Sequence, residues 1–286
     1  MGDRLYRFIR RCGAPFRFRV FGLYHLRVQP AIFVGNHAGS TGPLQAIFTL
    51  PVRLHPWVVR DMTDFRLAPA YLLDDFIRPT WHLKGRLGMV VSTIVARLAV
   101  WLINGIGCIP VTKEYGLFDG SLRRSLELLQ AGRSLLIFPE DAQGPLDPQT
   151  GLYPFLTGFA WLCYLHDRAN GHPVPVYPFA VHAGRHALAL GAPRTLDRQG
   201  DRRESVRRLC REIESDIAAL YRALDEGILP PEPRLSEPSF RSRFAQEKER
   251  GRAEHKGPYK QRIGHAVAPC YVIEESRERP PSHHAR

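Results

Sequence analysis

An α/β fold built on a central, mostly parallel sheet is what this sequence predicts, and three observations predict it. The runs Ala31-Ile32-Phe33-Val34 and Ser134-Leu135-Leu136-Ile137-Phe138 are near-continuously apolar, the pattern of strands covered on both faces in a parallel sheet. Stretches of helical periodicity separate such runs, and parallel neighbours need crossovers of that kind. Each apolar run then breaks into a polar, turn-forming loop, and the carboxyl ends of strands are where open α/β sheets place their chemistry.

Taken in order, residues 17–28 alternate loosely, as an edge strand or hairpin would. Residues 31–34 are the first core strand, and 44–50 the helix that follows it. Residues 52–59 suit a second strand. A helical stretch over 65–76 is interrupted at Pro69, and a long apolar helix over 88–103 leads to a strand at 106–111. The segment 121–131 places Leu122, Leu126 and Leu129 on one face, with Gly132 as its stop. The strand at 134–138 precedes a helix at 157–165 that starts on Thr157 and Gly158. Two more strands, 175–181 and 185–190, flank Ala183-Gly184. In the last helix, 201–224, Val206, Leu209, Ile213, Ile217, Leu220 and Leu224 form one stripe. From Leu229 onward the chain turns to Pro, Ser and mixed charge, a composition that cannot bury enough apolar area to offset ordering entropy. The expected organisation is an amphipathic membrane-surface segment (1–22), an α/β domain (23–228) and a low-complexity, disordered tail (229–286) with a short ordered patch at 266–272.

A formal net charge of +12 in 286 residues implies an anionic partner or surface. Its distribution favours a membrane. Residues 1–30 carry seven arginines against one acid, Asp3, interleaved with Leu5, Tyr6, Phe8, Ile9, Phe16, Phe18 and Phe21. No nucleic-acid-binding motif accompanies the charge, and no nucleic-acid partner is expected. The five cysteines, 12, 108, 163, 210 and 270, are odd in number and scattered, which suits free thiols in a reducing compartment and no metal site. The amino terminus lacks the clean apolar core of a signal peptide. Residues 89–111 come nearest to a membrane span, but Arg97 and Asn104 interrupt them, so a buried or membrane-facing amphipathic helix is expected there. The protein is expected on the cytoplasmic face of a membrane, peripherally.

The candidate chemistry centres on Asn36-His37, at the end of the first core strand and ahead of the turn Ala38-Gly39-Ser40-Thr41-Gly42-Pro43. Histidine is the side chain best suited to take a proton near neutral pH. Three further blocks follow: Gly107-Cys108-Ile109-Pro110-Val111-Thr112-Lys113, then Phe138-Pro139-Glu140-Asp141-Ala142-Gln143-Gly144, then Val174-Pro175-Val176-Tyr177-Pro178. In order and spacing, over residues 20–196, these resemble the glycerolipid acyltransferase family, which includes the lysophosphatidic acid and glycerol-3-phosphate acyltransferases. The family's first block, His-x4-Asp, is degenerate here: counting from His37 places Gly42 at the aspartate, while anchoring on Gly-Pro-Leu places Thr41 there.

That resemblance implies an acyltransferase-like fold. It implies that His37 is the general base moving a fatty acyl group from acyl-CoA or acyl-carrier protein, as substrate and not cofactor, to a hydroxyl of a lipid-like or polyol acceptor. Asp141, with Glu140 beside it, is the candidate carboxylate partner of His37, with Asp61 a more distant one. Asn36, Thr41, Lys113 and Gln143 are the candidate substrate-binding residues. Gln143 stands where the family carries a phosphate-binding arginine and cannot reproduce its bidentate grip. Unless Arg60, Lys84 or Arg86 substitutes, an unphosphorylated or differently charged acceptor is favoured. The alternative is a catalytically inactive relative that binds lipid or acyl carrier as an accessory protein.

Overall fold

A computed structural model describes residues 2–78, 82–83, 85–112, 120–148 and 150–228. Residues 1–232 form one unit and 233–286 another. The second unit, with the expected tail and its patch at 266–272, lies outside the described residues.

The first unit is built on a seven-stranded sheet. Its strands are β1 (Arg19–Phe21), β2 (Ile32–Gly35), β3 (Leu54–Val59), β4 (Ile109–Val111), β5 (Ser134–Ile137), β6 (Val176–His182) and β7 (Ala187–Leu190). The spatial order is β1-β7-β6-β2-β5-β3-β4, and every pair is parallel except β6–β7. The two apolar runs of the sequence become the adjacent central strands β2 and β5, all eight residues of which are buried. Residues 19–21 give an edge strand and no hairpin, since β1 pairs with β7 in parallel.

The helices are α1 (Gly2–Cys12), α2 (Thr41–Thr49), α3 (Ala68–Leu72), α4 (Gly85–Ile106), α5 (Gly120–Gln130), α6 (Gly158–Asn170) and α7 (Arg202–Glu226). Pro69 starts α3 instead of breaking it: in a first helical turn its missing N–H has no partner to lose, and the chain runs on into a π-helical turn, Leu73–Ile77. α4 continues past Arg97 and Asn104, so β4 begins only at Ile109. Arg97 points to solvent, and Asn104 donates to the Thr63 carbonyl oxygen at 3.1 Å. α7 opens on Asp201, whose carboxylate accepts the N–H groups of Arg203 and Glu204, and closes on Gly227 in the left-handed conformation at φ 72°.

The crossovers β2–α2–β3 and β5–α6–β6 run in opposite directions along the sheet. Right-handed connections therefore put α2 and α6 on opposite faces. On one face α5, α6 and α7 cover Ile32, Val34, Leu135, Ile137, Val176 and Ala180. On the other, Phe33 stacks on Tyr177 with ring centroids 5.2 Å apart, under the layer of α1, α2 and α4. Fully burying rings of this size contributes about 1.5–3 kcal/mol each.

The boundary expected at residue 22 falls inside this unit. Tyr6 is buried, donates to the Val52 carbonyl oxygen and accepts the Leu54 N–H, at 3.1 and 3.2 Å. Asp3 forms ion pairs with Arg53 and Arg133. Gln45 of α2 holds Phe16 and Phe18 through their backbones. The amphipathicity of residues 1–22 therefore serves the domain on its apolar side, and only the outer side is left for a surface.

Candidate active site

β2 and β5 are neighbours whose chains leave toward opposite faces of the sheet, the arrangement that opens a crevice beyond the strands' carboxyl ends. His37 follows β2 there and Glu140 follows β5. His37 is exposed, and its ring meets Phe138 edge-to-face at 5.3 Å, with Phe138 in turn against Phe179 at 5.9 Å. One side of the imidazole is thus an aromatic wall.

Glu140 reaches the backbone of the histidine loop. Its Oε1 accepts the His37 backbone N–H at 2.5 Å, and its Oε2 accepts the Tyr153 N–H at 3.2 Å. The carboxylate therefore helps fix where the His37 backbone sits, beside the role toward its ring that the sequence suggested. Burial pushes the Glu140 carboxyl above the ordinary glutamate range, against the two N–H donors that pull it down. A folded-state pKa above the unfolded one means that the native state holds its proton longer. The stabilisation is complete below the ordinary glutamate range and declines as pH rises toward the raised value. In urea titrations, the stability of wild type relative to Glu140→Gln is expected to fall across that window, and a difference that rises with pH would contradict it.

Asn36 is a structural clamp and not the substrate contact expected of it. It is 2% exposed; its Nδ2 donates to the Val181 carbonyl oxygen at 3.0 Å, and its Oδ1 accepts the Val181 N–H at 2.7 Å. This pair ties the end of β2 to β6. Asn36→Ala strands a buried donor and a buried acceptor, at about 1–3 kcal/mol for each group. A loss of roughly 2–6 kcal/mol in denaturant unfolding is expected, with His37 displaced in consequence.

The turn after His37 is tight. Ala38 has φ 43° and Gly39 φ 63°, and the Gly42 N–H donates to the His37 carbonyl oxygen at 3.0 Å. A left-handed alanine costs about 1–2 kcal/mol, a local strain held by the clamp on either side. Gly42 is buried against this turn, and a Cβ there would lie 2.4 Å from the His37 carbonyl oxygen and 2.6 Å from that of Asn36. Of the two positions for the aspartate, Gly42 is therefore closed to any side chain. Thr41 is half-buried in the first turn of α2 and has room for one.

Asp141 is absorbed by its own loop: Oδ1 accepts the Gln143 N–H at 3.1 Å, while its backbone N–H donates to the Pro154 carbonyl oxygen at 2.8 Å. Gln143 is exposed. Asp61 lies in a 3-10 turn, Arg60–Thr63, at the end of β3, with β5 between that strand and β2. Lys113 and Lys84 lie outside the described residues. Two open cavities are described, one lined by Arg86, Met89, Val90, Thr93 and Ile94, the other by Arg60, Phe65, Asn104, Ser121 and Arg124 among others. Neither includes His37 or the 140–143 loop.

A second His–carboxylate pair, with no signal in the spacing of the residues, lies at the end of β6. His182 Nε2 lies 3.1 Å from Asp225 Oδ1, and its Nδ1 accepts the Arg185 N–H at 3.2 Å. Both ring nitrogens are committed, so the pair can hold the β6–β7 turn but cannot take a substrate proton. Among the described residues no group of three or more His, Cys, Asp or Glu is placed to hold a metal ion.

No protein-family profile matches the chain, and no curated protein matches it. Among solved structures, the chain is similar to the 1-acyl-sn-glycerophosphate (LPA) acyltransferase PlsC from Thermotoga maritima, at 14% identity and a TM-score of 0.47, over 81% of each chain. A likeness of this size speaks for neither substrate nor mechanism. The class that the described residues define is an α/β domain with an exposed histidine at the carboxyl end of a central strand.

Proposed function

We propose that the protein is a membrane-associated acyltransferase that moves a fatty acyl group from acyl-CoA or acyl-carrier protein to a hydroxyl of a lipid-like or polyol acceptor. The observation that carries it is the exposed imidazole of His37 at the crevice of β2 and β5, held at its own backbone by Glu140. His37 takes the hydroxyl proton as the oxygen attacks the thioester carbonyl carbon. The tetrahedral intermediate then collapses, the C–S bond breaks, and the imidazolium returns the proton to the leaving thiolate. The enzyme works at the cytoplasmic face of a membrane, where a lipid-like acceptor would lie.

The test is incubation of the purified chain with radiolabelled acyl-CoA or acyl-carrier protein and a panel of lysolipids and polyols, wild type against His37→Ala. Asp141→Asn is expected to leave transfer within about twofold, because asparagine keeps the oxygen that accepts the Gln143 N–H. A severe loss there would make Asp141 the partner of His37 after all.

One observation favours a second reading, a lipid- or acyl-carrier-binding accessory protein without turnover. Glu140 and Asp141, the carboxylates nearest His37 in sequence motif, both accept backbone N–H groups. Absence of transfer from every donor, in wild type and in Thr41→Asp alike, selects that reading.

A further inference from the structure

We propose that α4 is an in-plane membrane anchor, seated on an anionic bilayer with Leu87, Val90, Ile94, Leu98 and Trp101 among the acyl chains. These residues recur at spacings of three and four and so form one stripe. The stripe is open: Leu87 is 63% exposed and Ile94 66%. The helix has 22 residues, about 33 Å at 1.5 Å per residue, and contains no Asp or Glu.

The opposite face decides between lying in a membrane and crossing one. Gly88, Ser92, Ala96 and Val100 are buried there at four-residue spacing, Ser92 Oγ donates to the Pro69 carbonyl oxygen at 2.5 Å, and Asn104 donates to Thr63. α3 packs along this side. A spanning helix would have to shed that layer, whereas an in-plane helix keeps it.

Charge decides between lipid and a second copy of the chain. Arg86, Thr93 and Arg97 are spaced by seven and four, so they run along one edge of the stripe. Arginines in that position bury their stems and lift their guanidinium groups to headgroup level. Two copies meeting through this face would bring these arginines together with no carboxylate on either helix to receive them. α1, packed beside the far end of α4 through Leu5 and Gly105, turns Arg4, Arg7 and Arg11 outward with Phe8. This is the surface that an anionic, apolar-cored partner fits.

The anchor rests on the membrane-surface part of the reading above and not on the acyl-transfer chemistry. The full chain should co-sediment with phosphatidylglycerol vesicles and far less with phosphatidylcholine vesicles. Ile94→Glu with Leu98→Glu should lower the vesicle partition coefficient at least about tenfold, since each charge would enter the acyl region. Both positions are exposed, so the thermal unfolding midpoint should stay in place, and that measurement separates lost binding from lost folding. Bromine-labelled acyl chains should quench a tryptophan signal that Trp101→Phe removes. Vesicle binding unchanged by the double variant, no quenching at Trp101, or a dimer that the double variant dissolves would each overturn the proposal. Transfer between water-soluble short-chain substrates without vesicles reports on the chemistry alone, so failure of the anchor and failure of the enzyme reading are told apart.

Discussion

His37→Ala is expected to remove acyl transfer at a stability cost of about 1 kcal/mol, that of the edge-to-face contact with Phe138. The imidazole is exposed, so its truncation opens no cavity, and the loop's hydrogen bonds to Glu140 and Gly42 run through the His37 backbone, which alanine keeps. A positioned general base contributes about 10²–10⁴ in rate. His182 cannot replace it, since both of its ring nitrogens are taken. The measurement is kcat/KM for wild type and variant beside their urea unfolding curves. A variant that folds and still transfers at more than about a tenth of the wild-type rate would remove His37 from the mechanism.

The second large effect is expected at the position where counting from His37 would restore an aspartate. Gly42→Asp drives a Cβ to 2.4 Å from the His37 carbonyl oxygen and 2.6 Å from that of Asn36, both backbone atoms of the turn that presents the histidine. A loss of about 3 kcal/mol or more is expected, with transfer falling alongside stability. Thr41→Asp is the contrasting variant. At the start of α2 a carboxylate meets the helix dipole favourably, by about 0.3–1 kcal/mol, and it stands on the residue that opens the helix after His37. Its stability should stay within about 1 kcal/mol of wild type, and its transfer rate should rise. The ceiling of that rise is about 10⁴, the effect of the orienting carboxylate in a serine-protease triad. Gly42→Asp folding normally would show that the turn can move, and would reopen that position.

The sheet was legible in the residues because burial on both faces writes itself into composition. Ile32, Phe33 and Val34, and Leu135, Leu136 and Ile137, admit no polar position, and they became the two central strands. Helix ends were less legible. Asn104-Gly105 reads as a stop, yet α4 ran on to Ile106 and turned only at Gly107, at φ 80°; Pro69 read as a break because position within a helix, not residue type, decides what proline does. The amphipathic amino terminus was legible as a pattern, but which surface would take its apolar side was not. That depended on Val52 and Leu54 presenting backbone groups to Tyr6 across 46 and 48 residues of chain.

At the site the division is sharper. The sequence by itself determined that a histidine would close a buried strand and that acidic residues would follow the neighbouring one, because strand burial and loop polarity are local properties. Only the tertiary structure decided what those groups do. Asn36 faces β6 and is spent on Val181, Glu140 reaches across the β2–β5 seam to the His37 backbone N–H, and Gly42 is walled in by two carbonyl oxygens. Each outcome depends on which strand lies beside which, and on the few ångströms between backbone groups that the order β6-β2-β5 brings together; no spacing along the chain records that distance.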